Sequence, residues 1–298
     1  MFNNKDFFRI YETSEKPEAC LIVVHGMEEH SSRYSSFASE LASNGIACLI
    51  YDLPGHGENT GDGGLGWFGA ENGADTLTES SLEACTYMKN KYSGVPLVYM
   101  GHSMGTMIAR CFLQKYDGLI DGMILTGAPN YQPAGKAALV LSKAAVLLKG
   151  DKGSSKLLDQ LATGSFNKAV RNPRTSLDWL SFNEKNVDAY IADPLCGQPF
   201  KTAGYEALFT LMDRMGNLSL YRCNKPLLPV FLAAGEEDPC TGGRKGFEDT
   251  VSRMKEAGYE DIEYKLYPRM RHEILNENEK EIVVNDLISW IHKKITSE

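Results

Sequence analysis

The run Gly101-His-Ser103-Met-Gly105 joins an apolar, strand-like stretch at residues 97–100 to a helix-like stretch at 106–115. A G-x-S-x-G pentapeptide is common by chance, but one set between a buried strand and a helix marks a serine lifted onto a tight turn. Such a turn strains the serine backbone and leaves no room for side chains at Gly101 and Gly105. The following helix directs its N-terminal dipole and free amides at charge developing beside Ser103. The chemistry this suits is nucleophilic acyl transfer. The competing reading is a Gly-rich turn that carries an idle serine.

A serine hydroxyl needs a base within hydrogen-bond reach. Six histidines compete. His102 adjoins Ser103, which points its side chain away from the same site. His25 and His30 follow the first apolar run, His56 lies in Pro54-Gly-His-Gly57, and His292 falls in the last helix-like stretch. His272 remains, after the strand-like stretch 262–266 and the short loop Pro268-Arg-Met-Arg-His272. Its structural alternative is a histidine that caps the last helix. The base needs a carboxylate to set its tautomer. Asp238, in the turn Gly235-Glu-Glu-Asp-Pro239, suits that role, with Glu236 and Glu237 as local rivals. Two backbone N–H groups should receive the tetrahedral oxyanion: Met104, directly after the nucleophile, and Met27, in the loop His25-Gly26-Met27. His25 is expected to brace that loop.

Apolar β-branched runs recur at 19–24, 46–51, 97–100, 123–126, 229–234 and 262–266, with helical stretches between. The alternation predicts an α/β fold with a mostly parallel central sheet flanked by helices. In the stretch 32–43, Tyr34, Phe37, Ala38 and Leu41 share one helical face before the stop Asn44-Gly45; a last helix is predicted at about 279–294. Between 130 and 225 no buried strand is evident, and the length predicts an inserted helical cap. The expected division is therefore 1–129 and 226–298 as two parts of one core, with 130–225 as the cap. Residues 136–148 are apolar nearly all round. They are expected to form a buried cap helix, the alternative being a greasy surface that meets lipid or lines an acyl pocket.

These blocks together resemble the monoacylglycerol lipase and lysophospholipase branch of the α/β-hydrolases, a group also labelled serine aminopeptidase-like hydrolases. The resemblance lies in His25-Gly-Met-Glu-Glu-His30 with Ser32-Arg33-Tyr34, Asp52-Leu-Pro-Gly-His-Gly57, the serine pentapeptide, Gly235-Glu-Glu-Asp238 and His272-Glu273, and, in the cap, in Asn186-Val-Asp-Ala-Tyr-Ile-Ala-Asp-Pro-Leu195. The chain order Ser, Asp, His matches that fold family. The resemblance implies hydrolysis of a carboxylic ester with a single acyl chain through an acyl-Ser103 intermediate, with no cofactor. It also implies that Glu29 and Arg33 pair to hold the oxyanion loop, against the reading of a solvated charge pair, and that Cys240 could approach the site, against that of a structural loop thiol. On the same triad an amidase, aminopeptidase or carbon–carbon bond hydrolase stays open, as does a non-catalytic binder of acyl ligands.

The resemblance implies a small acyl ester as the partner, and composition bears on the others. A formal net charge of -8 without a basic stripe argues against nucleic acid. The loop 55–69 has no Gly-Lys-Ser/Thr signature for phosphate and is expected to be flexible substrate-side surface. No C-x-x-C or H-E-x-x-H spacing implies a metal. Seven cysteines, several inside apolar runs, suggest free thiols and a reducing compartment. With no apolar leader at Met1-Phe-Asn-Asn-Lys-Asp, a cytoplasmic location is expected, with the cap left open as a surface for transient membrane contact.

Overall fold

The computed structural model describes residues 4–296; Met1 to Asn3, the start of the expected leaderless terminus, lie outside them. Seven strands form one sheet in the order β1-β3-β2-β4-β5-β6-β7: β1 (Phe8–Tyr11), β2 (Ala19–Val24), β3 (Ile46–Tyr51), β4 (Leu97–His102), β5 (Gly122–Thr126), β6 (Val230–Gly235) and β7 (Ile262–Tyr267). All neighbours run parallel except β1, an antiparallel edge strand that sequence periodicity did not pick out. The reason for that miss is its half-buried pattern, which carries polar Arg9 among its four residues.

Strands β2 to β6 are buried at every residue. The pleat explains why both alternating sets are apolar. Cys20, Ile22 and Val24 of β2 face one core with α2 (Gly73–Lys91) and α3 (Met104–Tyr116), whereas Ala19, Leu21 and Val23 face the other with α1 (Ser35–Ser43) and α9 (Lys280–Ile291). The first helix begins as a 3-10 turn, Ser31–Tyr34, and the last gives way to a π turn, His292–Thr296, so both are shorter α-helices than their periodicity predicts.

Between β5 and β6 the chain forms α4 (Gly135–Lys149), α5 (Lys156–Ala162), α6 (Glu184–Ala192) and α7 (Thr202–Gly216), and no strand among the described residues. Helix α8 (Gly243–Glu256) follows β6. The expectation that 136–148 is a buried helix fails. In α4 only Gly135, Ala138 and Ser142 are buried, while Val140, Leu147 and Leu148 are 66%, 87% and 84% exposed. Helix α4 packs chiefly on α7 and touches α5, with Leu139 and Ala145 half-buried beside the small residues, while the face that carries Val140, Leu147 and Leu148 stays uncovered. The expectation for 55–69 fails too: none of these residues lines the main cavity described below. The loop is stitched down instead, with Asp52 accepting from Ser31 and from the Glu58 N–H, and Phe68 stacked on His56. All seven cysteines are free. Among the described residues no helix is long and apolar enough to cross a membrane.

Candidate active site

Because β2, β4, β6 and β7 run parallel, the segments that follow them emerge at one edge of the sheet, where such folds assemble sites. The predicted residues come from these four exits.

Ser103 stands between β4 and α3 at φ 52° and ψ −119°, a left-handed strain that non-glycine residues rarely bear. Its glycines are steric necessities. A Cβ on residue 101 would come within 2.5 Å of the Gly105 carbonyl oxygen, and one on residue 105 within 2.0 Å of that of Val24.

His272 donates from Nδ1 to Asp238 Oδ2 at 2.9 Å, and both side chains are buried. The other Asp238 oxygen accepts the Cys240 N–H at 2.8 Å. The rivals Glu236 and Glu237 are exposed, Glu236 being paired with Arg244. Burial works against the imidazolium, but the charge and hydrogen bond of Asp238 outweigh it and hold His272 above its ordinary 6.5.

His102 does not point away as expected. Its ring lies 4.8 Å from that of His272, centroid to centroid, with Nδ1 on Thr126 Oγ1, and burial, then the neighbouring His272, brings it down to about 4. A neutral ring therefore packs against His272 on that side. Trp179 packs within 5.0 Å of the His272 ring, and Gly127, at φ 57°, leaves the space a Cβ would take, 3.0 Å from the imidazole.

Ser103 and His272 line one cavity of about 1050 Å³. Among the described residues the ring's only hydrogen bond is the one to Asp238, so none joins Nε2 to Ser103. Cys240, left open between a thiol that approaches the site and a structural loop thiol, is buried beside the Ser103 hydroxyl, and burial pushes its thiol well above the ordinary range. It is therefore an inert neighbour at neutral pH rather than a thiolate.

Met27 and Met104 line the same cavity. Met104 opens α3, so its N–H has no carbonyl a turn behind it. The Met27 N–H has no backbone partner among the described residues. His25 braces their loop: Nδ1 bonds the Gly26 carbonyl at 2.8 Å, and Nε2 accepts the Leu53 N–H at 3.0 Å. The Gly26 N–H donates to Glu29 Oε1 at 2.6 Å, and a Cβ there would lie 3.0 Å from that of Ser103.

Glu29 and Arg33 are not solvated. Arg33 bonds Glu29 Oε2 at 2.8 Å, both oxygens of Glu273 at 2.6 and 2.7 Å, and Asn186 Oδ1 at 3.0 Å, beneath the Tyr190 ring. Burial opposes ionisation of both acids, yet Arg33 keeps Glu29 and Glu273 below the usual carboxylate range. Sequence reasoning missed the parts played by Glu273, Tyr190, Trp179 and Gly127. Only Glu273 carried a signal, its place next to His272.

Among the described residues two groups bring metal-ligating atoms within 4.8 Å of one another: Asp238, Cys240 and His272, and His30, Asp193 and Cys196. In the first, the His–Asp hydrogen bond and the protonated thiol leave no anionic sulfur ligand. The second is a 2.9 Å pair, His30 to Asp193, that ties the loop after β2 to the segment after α6.

A family model described as Hydrolase_4, serine aminopeptidase, S33, matches residues 15–279. The monoacylglycerol lipase of Mycolicibacterium smegmatis is 26% identical over 287 residues, covering 95% of this chain and 91% of that one. The human monoglyceride lipase is 24% identical over 292 residues, covering 97% and 87%. Among solved structures, a thermostable carboxyl esterase from Bacillus coagulans in complex with glycerol superposes with a TM-score of 0.90 at 26% identity, covering 99% of this chain and 97% of that one.

Proposed function

The chain belongs to the Hydrolase_4 (serine aminopeptidase, S33) family of α/β-hydrolases, and on that premise we propose that it cleaves carboxylic esters of single acyl chains through an acyl-Ser103 intermediate. The observation that carries this reading is the buried His272–Asp238 pair in the cavity that also holds strained Ser103. In the proposed cycle Ser103 Oγ attacks the ester carbonyl carbon while His272 Nε2 takes the hydroxyl proton. The carbonyl oxygen becomes an oxyanion held by the Met27 and Met104 amides. As the C–O bond to the alcohol breaks, His272 returns its proton to the leaving oxygen. A water, deprotonated by His272, then attacks the acyl carbon, and collapse releases the acid and restores Ser103. Asp238 accepts the Nδ1–H, so that in the neutral ring Nε2 is the bare nitrogen that takes the proton.

An apolar wall of Met107, Ala138, Leu208, Phe209 and Met212 supports an acyl chain as the bulk of the substrate. We assign 130–225 as the cap over this cavity. The exposed Val140, Leu147 and Leu148 of α4, with Lys143 and Lys149 nearby, suit transient contact with a lipid surface from which a single-chain ester is drawn. Seven free thiols favour the cytoplasm as its compartment.

An alkyl fluorophosphonate should label the wild type and not Ser103→Ala; a wild-type protein that stays unlabelled would point to a non-catalytic acyl binder instead. Rates on p-nitrophenyl esters of increasing length, a monoacylglycerol, a lysophospholipid and an aminoacyl amide separate ester from amide chemistry.

A further inference from the structure

Helix α6 lies in the segment inserted between β5 and β6, yet it and the turn after it are built onto the loop that carries Met27. Asn186 accepts from Arg33 at 3.0 Å and donates to Glu273 at 2.6 Å, and Asp193 pairs with His30 at 2.9 Å. The Tyr190 hydroxyl and the Gly197 N–H both donate to the Glu28 carbonyl oxygen, at 2.7 and 2.8 Å. Tyr190 lines the cavity, but its hydroxyl proton is committed to that carbonyl.

Glu28 is where these ties act. Its φ of 57° lies in the left-handed region, which a non-glycine residue keeps only where surrounding contacts hold it. The two donors on its carbonyl are such contacts. With them gone, φ is free to relax toward an ordinary negative value, and Met27, the residue before it, turns with the chain. On the other side of Met27 the Gly26 N–H is fixed by Glu29, whose Oε1 also accepts the Tyr34 hydroxyl at 2.9 Å. Met27 therefore stands between two anchors, one from the core and one from α6, while its own N–H has no backbone partner among the described residues. An amide stabilises a developing oxyanion only if its direction is set before the charge appears.

We propose that Tyr190 is a positioning residue for the oxyanion hole, fixing the direction of the Met27 N–H through the Glu28 carbonyl, so that α6 is a standing wall of the site. The inference rests on the acyl-transfer reading above. Its test compares a trifluoromethyl hexyl ketone with the alcohol made by its reduction, both as inhibitors of p-nitrophenyl butyrate hydrolysis. Ser103 Oγ adds to the ketone carbon, His272 takes the hydroxyl proton, and the former carbonyl oxygen becomes an oxyanion in the hole; the alcohol fills the same space without an adduct. Tyr190→Phe keeps the ring over Arg33 and deletes the donor. Loss of that one buried hydrogen bond should lower kcat at least about fivefold and leave KM within about twofold of the wild type. The inhibition constant of the ketone should rise by the factor lost from kcat/KM, and that of the alcohol should stay where it is. The ratio of the two constants is read on folded protein alone, so partial unfolding of the variant does not alter it. A ratio equal to that of the wild type would overturn the proposal. So would a ketone and an alcohol weakened alike, which marks a general change in the shape of the cavity. A wild type that binds the ketone no better than the alcohol would instead sink the acyl-transfer reading itself.

Discussion

Replacing Arg33 by methionine keeps most of the apolar stem and deletes the charge that sits between Glu29 and Glu273. Both acids are about 4% exposed as side chains, so each is left as a buried carboxylate without a counter-ion. Breaking a buried pair from one side costs about 3–5 kcal/mol. With an unfolding entropy of about 2.1 cal/mol/K per residue over this 298-residue chain, that corresponds to a fall in Tm of about 5–8 °C. The pH dependence gives a second handle. In the wild type both carboxyls are held below their ordinary 4.5, so their contribution is present above that value and is lost as pH falls through the depressed folded values. In Arg33→Met burial is opposed only by weaker neighbours, the Gly26 N–H and nearby histidines at Glu29 and Asn186 at Glu273, so both acids rise and the variant takes up protons under mild acid. Its deficit should therefore narrow between about pH 7 and about pH 5. Thermal unfolding by calorimetry at the two pH values tests this. A variant that melts within about one degree of the wild type near neutrality, or a deficit that widens on acidification, would show that the network is not held together as described. Because Glu29 also anchors the Gly26 N–H, turnover should fall more than substrate affinity.

The acid limb of kcat/KM should lie above 6.5, since the base must be neutral to act and Asp238 raises it; a limb below that value would contradict the geometry. Asp238→Asn should lower kcat by about 10⁴ and move the limb of the residual activity downward, because burial of His272 remains while the charge that opposed it is gone; pH–rate profiles of both proteins decide it. Leu147→Glu with Leu148→Glu should weaken vesicle binding at least about tenfold in a flotation assay, the loss of activity being confined to vesicle-borne substrate; unchanged binding would remove α4 as the contact surface.

What the chain alone determined is what local spacing and periodicity encode. Fully buried strands show as unbroken apolar runs, and the strand–turn–helix around Ser103 needs its two glycines wherever it occurs, so the parallel sheet and the strained turn at Ser103 were legible. Asp238 and His272 were legible because each follows a strand of that sheet, whose parallel pairing brings their loops to one edge. The half-buried β1, with a polar residue among four, left no such trace. Tertiary structure decided whatever depends on partners far apart in the chain. Arg33 meets Glu273 across 240 residues, and only that meeting distinguishes a buried ion network from a solvated helical pair. The packing of His102 and Trp179 on His272, the place of Cys240 beside Ser103 and the exposure of α4 likewise follow from how the 130–225 segment and the loops settle on the sheet. The physical reason is that hydrophobic periodicity records that a side chain is to be covered, while the covering group is chosen by the fold as a whole.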